Sequence, residues 1–424
     1  MKILVVHNRY QHRGGEDAVV EAEIALLHQY GHEVQTYYRD NDEIPALSAS
    51  EVAASVLWSA RTHREVGLLC AEFRPAVIHA HNTFPLISPS LYWTAHQHRI
   101  PLVQTLHNFR LLCAEANFLR DGVVCEACLG HLPWRAGLHR CYRDHRLQST
   151  AVAAMLTLHR AAGSYRARVT RYITHNAFCR DKFIAGGLPA AKLCIKPNFI
   201  DVPVRSSAVP SAPTPQGQAG GICVSRLSRE KGIAVLIAAY GFGGLAPISV
   251  IGDGPLAADV QAQFGTAALG ARPPAEVMQR MRAARYAIVP SICFETGSRV
   301  VIEAFACSRP VIASRIGSLG AMVADGVTGL LFRPGDARDL HAKVQWADRH
   351  PQAMEAMGRA GWEEYARRYT AARNYTSLMA IYRAAIDAPE PGPDALIEPA
   401  GEAVSRMAAD TRKPIVDTGA SVRS

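Results

Sequence analysis

Apolar residues fall along this chain in two rhythms: short continuous runs bounded by glycine or polar residues, and longer stretches where they recur every third or fourth position. Continuous runs suit strands buried on both faces, and recurring ones suit amphipathic helices. The pattern predicts a strand over 2–7, a loop over Asn8–Glu16, and a helix over 17–30 whose Val20, Ile24 and Leu27 share a face. Gly31 stops that helix and a strand follows over 33–38, completing a βαβ unit. Further on, a helical stretch is expected over 51–73, a strand over Ala76–His79, a helix over 90–98 and a strand over Pro101–Thr105. Residues 109–150 break the rhythm, which resumes with a helix over 149–166 and a strand over Arg171–Thr174.

A second series starts at Gly221–Ser225. Strands are expected at Ile248–Ile251, 286–289, Val311–Ser314 and Gly329–Arg333, with helices over 233–240, 274–284, 337–349 and 351–386. Between the series, 202–220 is rich in Pro, Ser, Ala and Gly and reads as a linker. The division expected is therefore 1–201 with an insertion at 109–150, the linker 202–220, a second domain over 221–365, a helix over 366–388 returning to the first domain, and a disordered tail over 389–424.

Composition supports two domains, because 424 residues exceed what one ordinary core serves. A hydrophobic share of 49% marks a globular α/β chain, and no apolar run is long enough to span a bilayer. The amino-terminal strand lacks the pattern of a signal peptide. Ten cysteines without secretory features point to reduced thiols or a metal site, hence to the cytoplasm. The charge of +9 is concentrated between Arg99 and Arg180 and suits contact with an anionic membrane, at the inner face of the plasma membrane. No nucleic-acid-binding motif accompanies it, so no nucleic-acid partner is expected.

The stretch Val289–Ser314 carries the most chemistry. Glu295 falls in a loop and Glu303 in a helix of about three turns, with Gly297 and Ser298 at its start and Val300, Val301, Ala304 and Phe305 as its apolar face. Free amides at a helix start attract anions, so two hydroxyl-seeking carboxylates flank a phosphate cradle. Taken alone, the pair reads first as an ordinary capped helix with two solvated acids. Arg226 and Lys231, five apart after a strand, can address one diphosphate as fork and point charge. Paired glycines at Gly14-Gly15, and Gly252 and Gly254 in another loop, allow close backbone approach. His7, His79, His81 and His107 lie at strand ends, where ligands bind in parallel sheets. Cys113, Cys125, Cys128 and Cys141 have spacings that fit a tetrahedral structural zinc. Free thiols, or a histidine from His131, His139 or His145 replacing one cysteine, remain alternatives. Asp40-Asn41-Asp42 reads as a polar turn rather than a metal site.

Taken together, the G-G loop, L-H-N after the fourth strand, K-P-N-F-I-D, S-R-L-S-R-E-K-G, I-G-D-G-P and P-S-x3-E-x7-E resemble the retaining nucleotide-sugar glycosyltransferases of the GT-B fold, family 4, over roughly residues 1–385. The segment H-N-F-R-L-L-C is similar to a bacterial subgroup associated with surface polysaccharide (capsule, exopolysaccharide or lipopolysaccharide). The resemblance implies two Rossmann-like domains facing a central cleft, a nucleotide-sugar donor, a lipid-linked or glycan acceptor, and no cofactor for catalysis; the zinc that the cysteine spacing allows would be structural. It assigns Arg226 and Lys231 to the leaving diphosphate, Glu303 to ribose hydroxyls and Glu295 to donor-sugar hydroxyls. It places His107 against the donor sugar, Gly14 and Gly15 on the phosphate side, amides near Gly297, Ser298 and Arg299 on the diphosphate, and Gly252 and Gly254 beside the base. The family commonly carries glycine where Ser298 and Ser308 stand, and an acid near Ala321. A non-transferring enzyme of the same fold, such as a sugar-nucleotide epimerase, or a non-enzymatic binding protein, is the alternative.

Overall fold

The computed structural model describes residues 1–202 and 220–388. The interior of the expected linker, 203–219, and the expected tail, 389–424, lie outside the described residues. The first half runs β1 (Lys2–Arg9), α1 (Gly15–Gln29), β2 (Glu33–Asp40), α2 (Ala49–Leu57), α3 (Ala60–Phe73), β3 (Val77–Ala80), α4 (Ser90–Gln97) and β4 (Leu102–Thr105). The hairpin β5 (Leu119–Arg120) and β6 (Val123–Val124) and the single turn α5 (Arg135–Leu138) fall in the irregular insertion. Then come α6 (Arg146–Ala161), α7 (Ser164–Ala167), β7 (Arg171–Thr174), α8 (Ala177–Ala185) and β8 (Leu193–Ile195). The helix expected over 51–73 is two. Trp58 ends α2 in extended geometry and the Ser59 hydroxyl accepts from Thr62 N to start α3, so a cap inside an apolar pattern divides it.

The first sheet is parallel in the order β2-β1-β3-β4-β7-β8. Alternation along its strands sends Leu4, Val6, Ile78 and Leu102 to one face, against Leu91 and Tyr92 of α4. Ile3, Val5, Val77 and Val103 point to the other, under Val20 and Leu27 of α1. Each such fully buried aliphatic side chain contributes about 1.5–3 kcal/mol of burial.

The second half repeats the plan with β9 (Gly221–Val224), α9 (Ile233–Gly241), β10 (Ile248–Ile251), α10 (Ala257–Phe264), β11 (Ala268–Gly270), α11 (Pro274–Ala283) and β12 (Tyr286–Val289). It continues with α12 (Arg299–Ala306), β13 (Val311–Ser314), α13 (Gly317–Met322), β14 (Gly329–Phe332), α14 (Ala337–Arg349), α15 (Pro351–Arg368) and α16 (Ala371–Ile386). Its sheet is parallel in the order β11-β10-β9-β12-β13-β14. The helix expected over 351–386 breaks at Thr370, whose hydroxyl accepts from Arg373 N to cap α16. From there α16 leaves the second half and lays Leu378, Met379 and Tyr382 on the first sheet beside Ile3 and Val5. The helix after Glu295 has eight residues, about two turns instead of three, because its first turn is an extended loop. Val301, Ala304 and Phe305 are buried on the second sheet with Ile302, while Val300 is only partly buried.

A candidate active site between two sheet edges

In each sheet the chain order reverses once, between β1 and β3 and between β9 and β12. Loops leaving such neighbours diverge to opposite faces and leave a crevice at the carboxyl edge. Lys231 lies in the loop after β9 and Glu295 in the loop after β12. They meet there: Lys231 Nζ donates to Glu295 Oε1 at 2.7 Å, and Ser291 Oγ donates to the same oxygen at 2.6 Å. Burial works to raise the Glu295 carboxyl, but Lys231 and the hydroxyls of Ser291 and Ser298 outweigh it and hold it below its usual value. Burial likewise works against the charge on Lys231, and Glu295 more than restores it, leaving the ammonium raised. The Lys231 side chain keeps 31% of its surface exposed, enough for a ligand to reach.

Past Glu295 the loop is tied to the first half. Thr296 Oγ1 donates to His107 O at 2.5 Å, Asn176 Nδ2 donates to Thr296 O at 2.7 Å, and Asn198 Nδ2 reaches Gly297 O at 3.4 Å. A Cβ on Gly297 would stand 2.9 Å from that of His175, so this crossing admits only glycine without a shift. Ser298 precedes α12 without capping it, its hydroxyl being turned to Glu295. Arg299 follows, with Nη2 at 3.7 Å from Glu303 Oε1 and Nη1 buried without a hydrogen-bond partner. Its Cδ lies 3.8 Å from where a Cβ on Gly15 would be, so Gly15 of the first half faces Arg299 of the second. Gly14 N donates to Asp17 Oδ2 at 2.7 Å, which fixes the turn before α1. Burial pushes the Glu303 carboxyl above its usual value, with Arg299 opposing. The start of α12 thus offers free amides, an unsatisfied guanidinium nitrogen and two flanking carboxylates.

Arg226 is exposed at the head of the loop that ends in Lys231. That loop is held by Leu227 N donating to Asp253 O at 2.8 Å. Gly252 and Gly254 have φ of 144° and 153°, and a Cβ would come within 1.8 Å of Ser225 O and 2.6 Å of Leu227 O respectively. Backbone packing against the Arg226 loop therefore already demands both glycines.

A buried polar network stands behind His107, joining the strand-end histidines His79 and His81 to Glu23 and Lys196, whose pairing with each other the sequence did not suggest. His107 Nε2 and His81 Nδ1 are 2.9 Å apart, and His81 Nε2 lies 3.7 Å from Glu23 Oε2. Glu23 pairs with Lys196, both fully buried. His79 bonds Thr105 Oγ1 at 2.8 Å and Tyr382 Oη at 2.7 Å. Burial, reinforced by neighbouring cations, drives His81 and His107 well below the usual imidazole range, and His79 and His175 to about 4. All four rings are therefore neutral near pH 7. Among the described residues, Glu23, His79 and His81 are the group whose metal-capable atoms all lie within 4.8 Å of one another. Both nitrogens of His79 are already bonded and one oxygen of Glu23 is held by Lys196, while the other, Oε2, is buried without a hydrogen-bond partner, 3.7 Å from His81 and 3.8 Å from His79. One signal was present in the sequence: Glu23 interrupts the Val20–Leu27 stripe of α1, where a charge must be buried and paired.

The four cysteines of the insertion are free and half-buried. Burial and the neighbouring sulfurs raise the Cys128 and Cys141 thiols, the latter to about 11. Burial also raises the Cys113 thiol, against the backbone amides of Phe118, Glu115 and Ala116, which bond its sulfur. Several amides on one sulfur suit a thiolate, as a metal would require. No three of these sulfurs are drawn within 4.8 Å, so the closed tetrahedron expected from the spacing is wider here.

Two parallel Rossmann-like sheets facing one cleft, with the carboxyl-edge loops of both at its walls, define the GT-B class. Known proteins agree: over 90% of this chain the fold matches Anabaena HepE in complex with UDP-glucose (TM-score 0.63, 17% identity, all of that chain). It also matches sucrose-phosphate synthase from Thermosynechococcus elongatus over 90% of this chain and 98% of that one (TM-score 0.66, 17% identity). The Glycosyltransferase Family 4 model matches residues 13–203 and the model of Glycosyl transferases group 1 matches 220–347. The chain belongs to the family 4 glycosyltransferases. D-inositol 3-phosphate glycosyltransferase of Segniliparus rotundus is 38% identical over 116 residues, 27% of this chain and 25% of that protein. The sulfoquinovosyl transferase of Arabidopsis thaliana is 32% identical over 149 residues, 34% of this chain and 29% of that protein. The matched stretch thus spans between a quarter and a third of these relatives' length. Among the described residues no helix is long and apolar enough to cross a membrane.

Proposed function

We propose that the protein moves a sugar, with retention, from a nucleotide-sugar donor to a lipid-linked or glycan acceptor in the assembly of a bacterial surface polysaccharide. The observation that carries this reading is the start of α12, where Nη1 of Arg299 is buried without a partner, its Nη2 lies 3.7 Å from Glu303 Oε1 and its side chain faces Gly15. A diphosphate would satisfy that nitrogen and the free amides, with Glu303 accepting from ribose hydroxyls and Glu295 from sugar hydroxyls. Arg226 and Lys231 would neutralise the diphosphate as its bond to the sugar breaks, an interaction strongest in the transition state. The acceptor oxygen attacks the anomeric carbon from the face the diphosphate leaves, and its proton passes to a phosphate oxygen of the departing nucleotide. No protein nucleophile is required. His107, neutral and held by His81, can bond a donor-sugar hydroxyl.

Glu303→Gln tests the assignment, since it removes the charge without changing shape. Acceptor-dependent release of nucleoside diphosphate should fall by about a hundredfold, equivalent to losing one charge-assisted contact of about 2.7 kcal/mol, with thermal unfolding little changed. Turnover equal to the wild type would overturn the reading.

For the insertion, the same reading gives Cys113, Cys125, Cys128 and Cys141 to a structural zinc, with the loops closing further around it. Elemental analysis of purified protein should find one equivalent, and a chelator should lower the melting temperature. Metal-free protein in which all four thiols react would contradict this.

A further inference from the structure

The segment that follows Cys128 exposes side chains of a kind normally buried. Trp134 is 63% exposed, Leu132 58%, Leu138 55% and Leu147 75%. Single exposed leucines are unremarkable, but four large apolar groups on one short segment call for a partner. They are not exposed through looseness, because the reverse side of the segment is fixed. Ala136 is buried with Val152 and Ala153 of α6, and a Cβ on Gly137 would stand 2.6 Å from Thr150 Oγ1. Cys141 N donates to Ala136 O at 3.1 Å, and Arg160 Nη1 donates to His131 O at 2.8 Å. This scaffold holds the indole and the leucines outward.

Charge decides what covers them. The exposed Arg135, Arg140, Arg143 and Arg146 share the segment with a single acid, Asp144. Tryptophan and arginine also occur in protein interfaces, but four exposed arginines against one acid, beside tryptophan and leucines, match the boundary of an anionic bilayer. There the indole lies at headgroup level, the leucines reach the acyl boundary and the guanidinium groups meet lipid phosphate. The segment also runs into a pocket. Tyr142 and Arg143 line it with Tyr10, Asn82, Asn108 and Arg110, beside the loop between β1 and α1. The Arg110 guanidinium lies 4.6 Å from the centre of the Phe84 ring and 4.8 Å from that of Tyr142, a rigid seat for a cation that can receive a phosphate.

We propose that residues 131–147 form a bilayer-docking surface, seating Trp134, Leu132, Leu138 and Leu147 in an anionic membrane and bringing a phosphate-linked lipid acceptor to Arg110 and Arg143. The delivery of an acceptor rests on the transfer reaction proposed above; the docking does not. Flotation of the full chain with phosphatidylglycerol-containing vesicles and with pure phosphatidylcholine vesicles tests it. The wild type should float with the first and largely not with the second. Trp134→Glu/Leu138→Glu should reduce the floated fraction at least about tenfold, and Arg140→Gln/Arg146→Gln should weaken flotation most at low salt. A cooperative melting transition reports whether each variant is folded, and its shift by UDP and UDP-glucose reports nucleotide binding. Failure of the wild type to float, or flotation of Trp134→Glu/Leu138→Glu at the wild-type level, overturns the proposal. So does a wild-type oligomer that the same variant splits while anionic vesicles bind neither protein, since the surface then meets another copy. A preserved nucleotide response without flotation defeats the docking alone; flotation without any nucleotide-sugar response defeats the transfer reading alone.

Discussion

Glu23 is a carboxylate with almost no exposed surface, and what permits it is Lys196, equally buried, against one of its oxygens. Removing either partner leaves the other charge unpaired in a low-dielectric interior, which costs about 3–5 kcal/mol. Glu23→Ala should therefore destabilise the protein by that order in denaturant unfolding. Glu23→Leu/Lys196→Met should recover most of the loss, because no charge is then stranded. A double variant as unstable as the single would show that the pair is not what holds the site. Lys231 and Glu295 follow the same logic, so Lys231→Ala is expected to lower stability as well as activity, and Glu303→Gln is the cleaner probe. The neutral histidines add a pH dependence. His79 and His175 are depressed to about 4 in the fold, so the unfolded chain binds more protons below about 6.5. The stability they contribute is complete above that value and is lost as pH falls through the window toward 4. Melting temperature should drop steadily between pH 7 and 5, and a flat profile would contradict the neutral, buried network. At this scale residue type and spacing singled out Glu295, Glu303, Arg226 and Lys231 as candidates. The contact between Lys231 and Glu295 was not legible, since it joins loops from two neighbouring strands. Nor was Arg299 as an orphaned donor, because that depends on what surrounds it.

Among the elements, the strand–helix alternation was readable because buried parallel strands and amphipathic helices have different periods. Boundaries were less so, because short polar caps decide them locally. Ser59 divides one expected helix and Thr370 another, each through a hydroxyl accepting a backbone amide. Ser308 shows a residue at odds with its position. It stands just beyond α12 with φ of 55°, and its Oγ is buried without a partner. A left-handed conformation costs a residue with a Cβ about 1–2 kcal/mol, and an unsatisfied hydroxyl adds to that. The glycine common in the family at this place would avoid both. Ser308→Gly should stabilise the protein by about 1 kcal/mol without touching the cleft, seen as a higher denaturation midpoint. A lower midpoint would mean that the strain is relieved in a way the backbone does not show.

On the scale of the whole molecule, two of the features that join the halves bear on the site. One is α16, which carries the chain from the second half back to the first sheet. The other is the loop 294–298, tied to His107, Asn176 and Asn198. The loop that carries Glu295 is thus anchored in both domains, which links donor placement to the approach of the halves. Asn176 also caps α8, its Oδ1 accepting from Cys179 N at 3.0 Å, so Asn176→Ala should raise KM for the donor about tenfold while costing about 1–3 kcal/mol of stability, a cap and one further hydrogen bond. A wild-type KM would separate the loop from donor placement. Doubled α/β architecture followed from the alternation, but the docking of Thr296 and Gly297 on the first half did not, since no periodicity records a contact between domains. In the proposed function, the start of α12, between Glu295 and Glu303, holds the diphosphate of a nucleotide sugar. Calorimetric titration of the wild type and Glu303→Gln with a panel of nucleotide sugars tests it most directly. At least one donor should bind the wild type and bind Glu303→Gln at least about tenfold more weakly, about 1.4 kcal/mol. Equal affinity for both proteins, or no binding by the wild type to any donor, would contradict it.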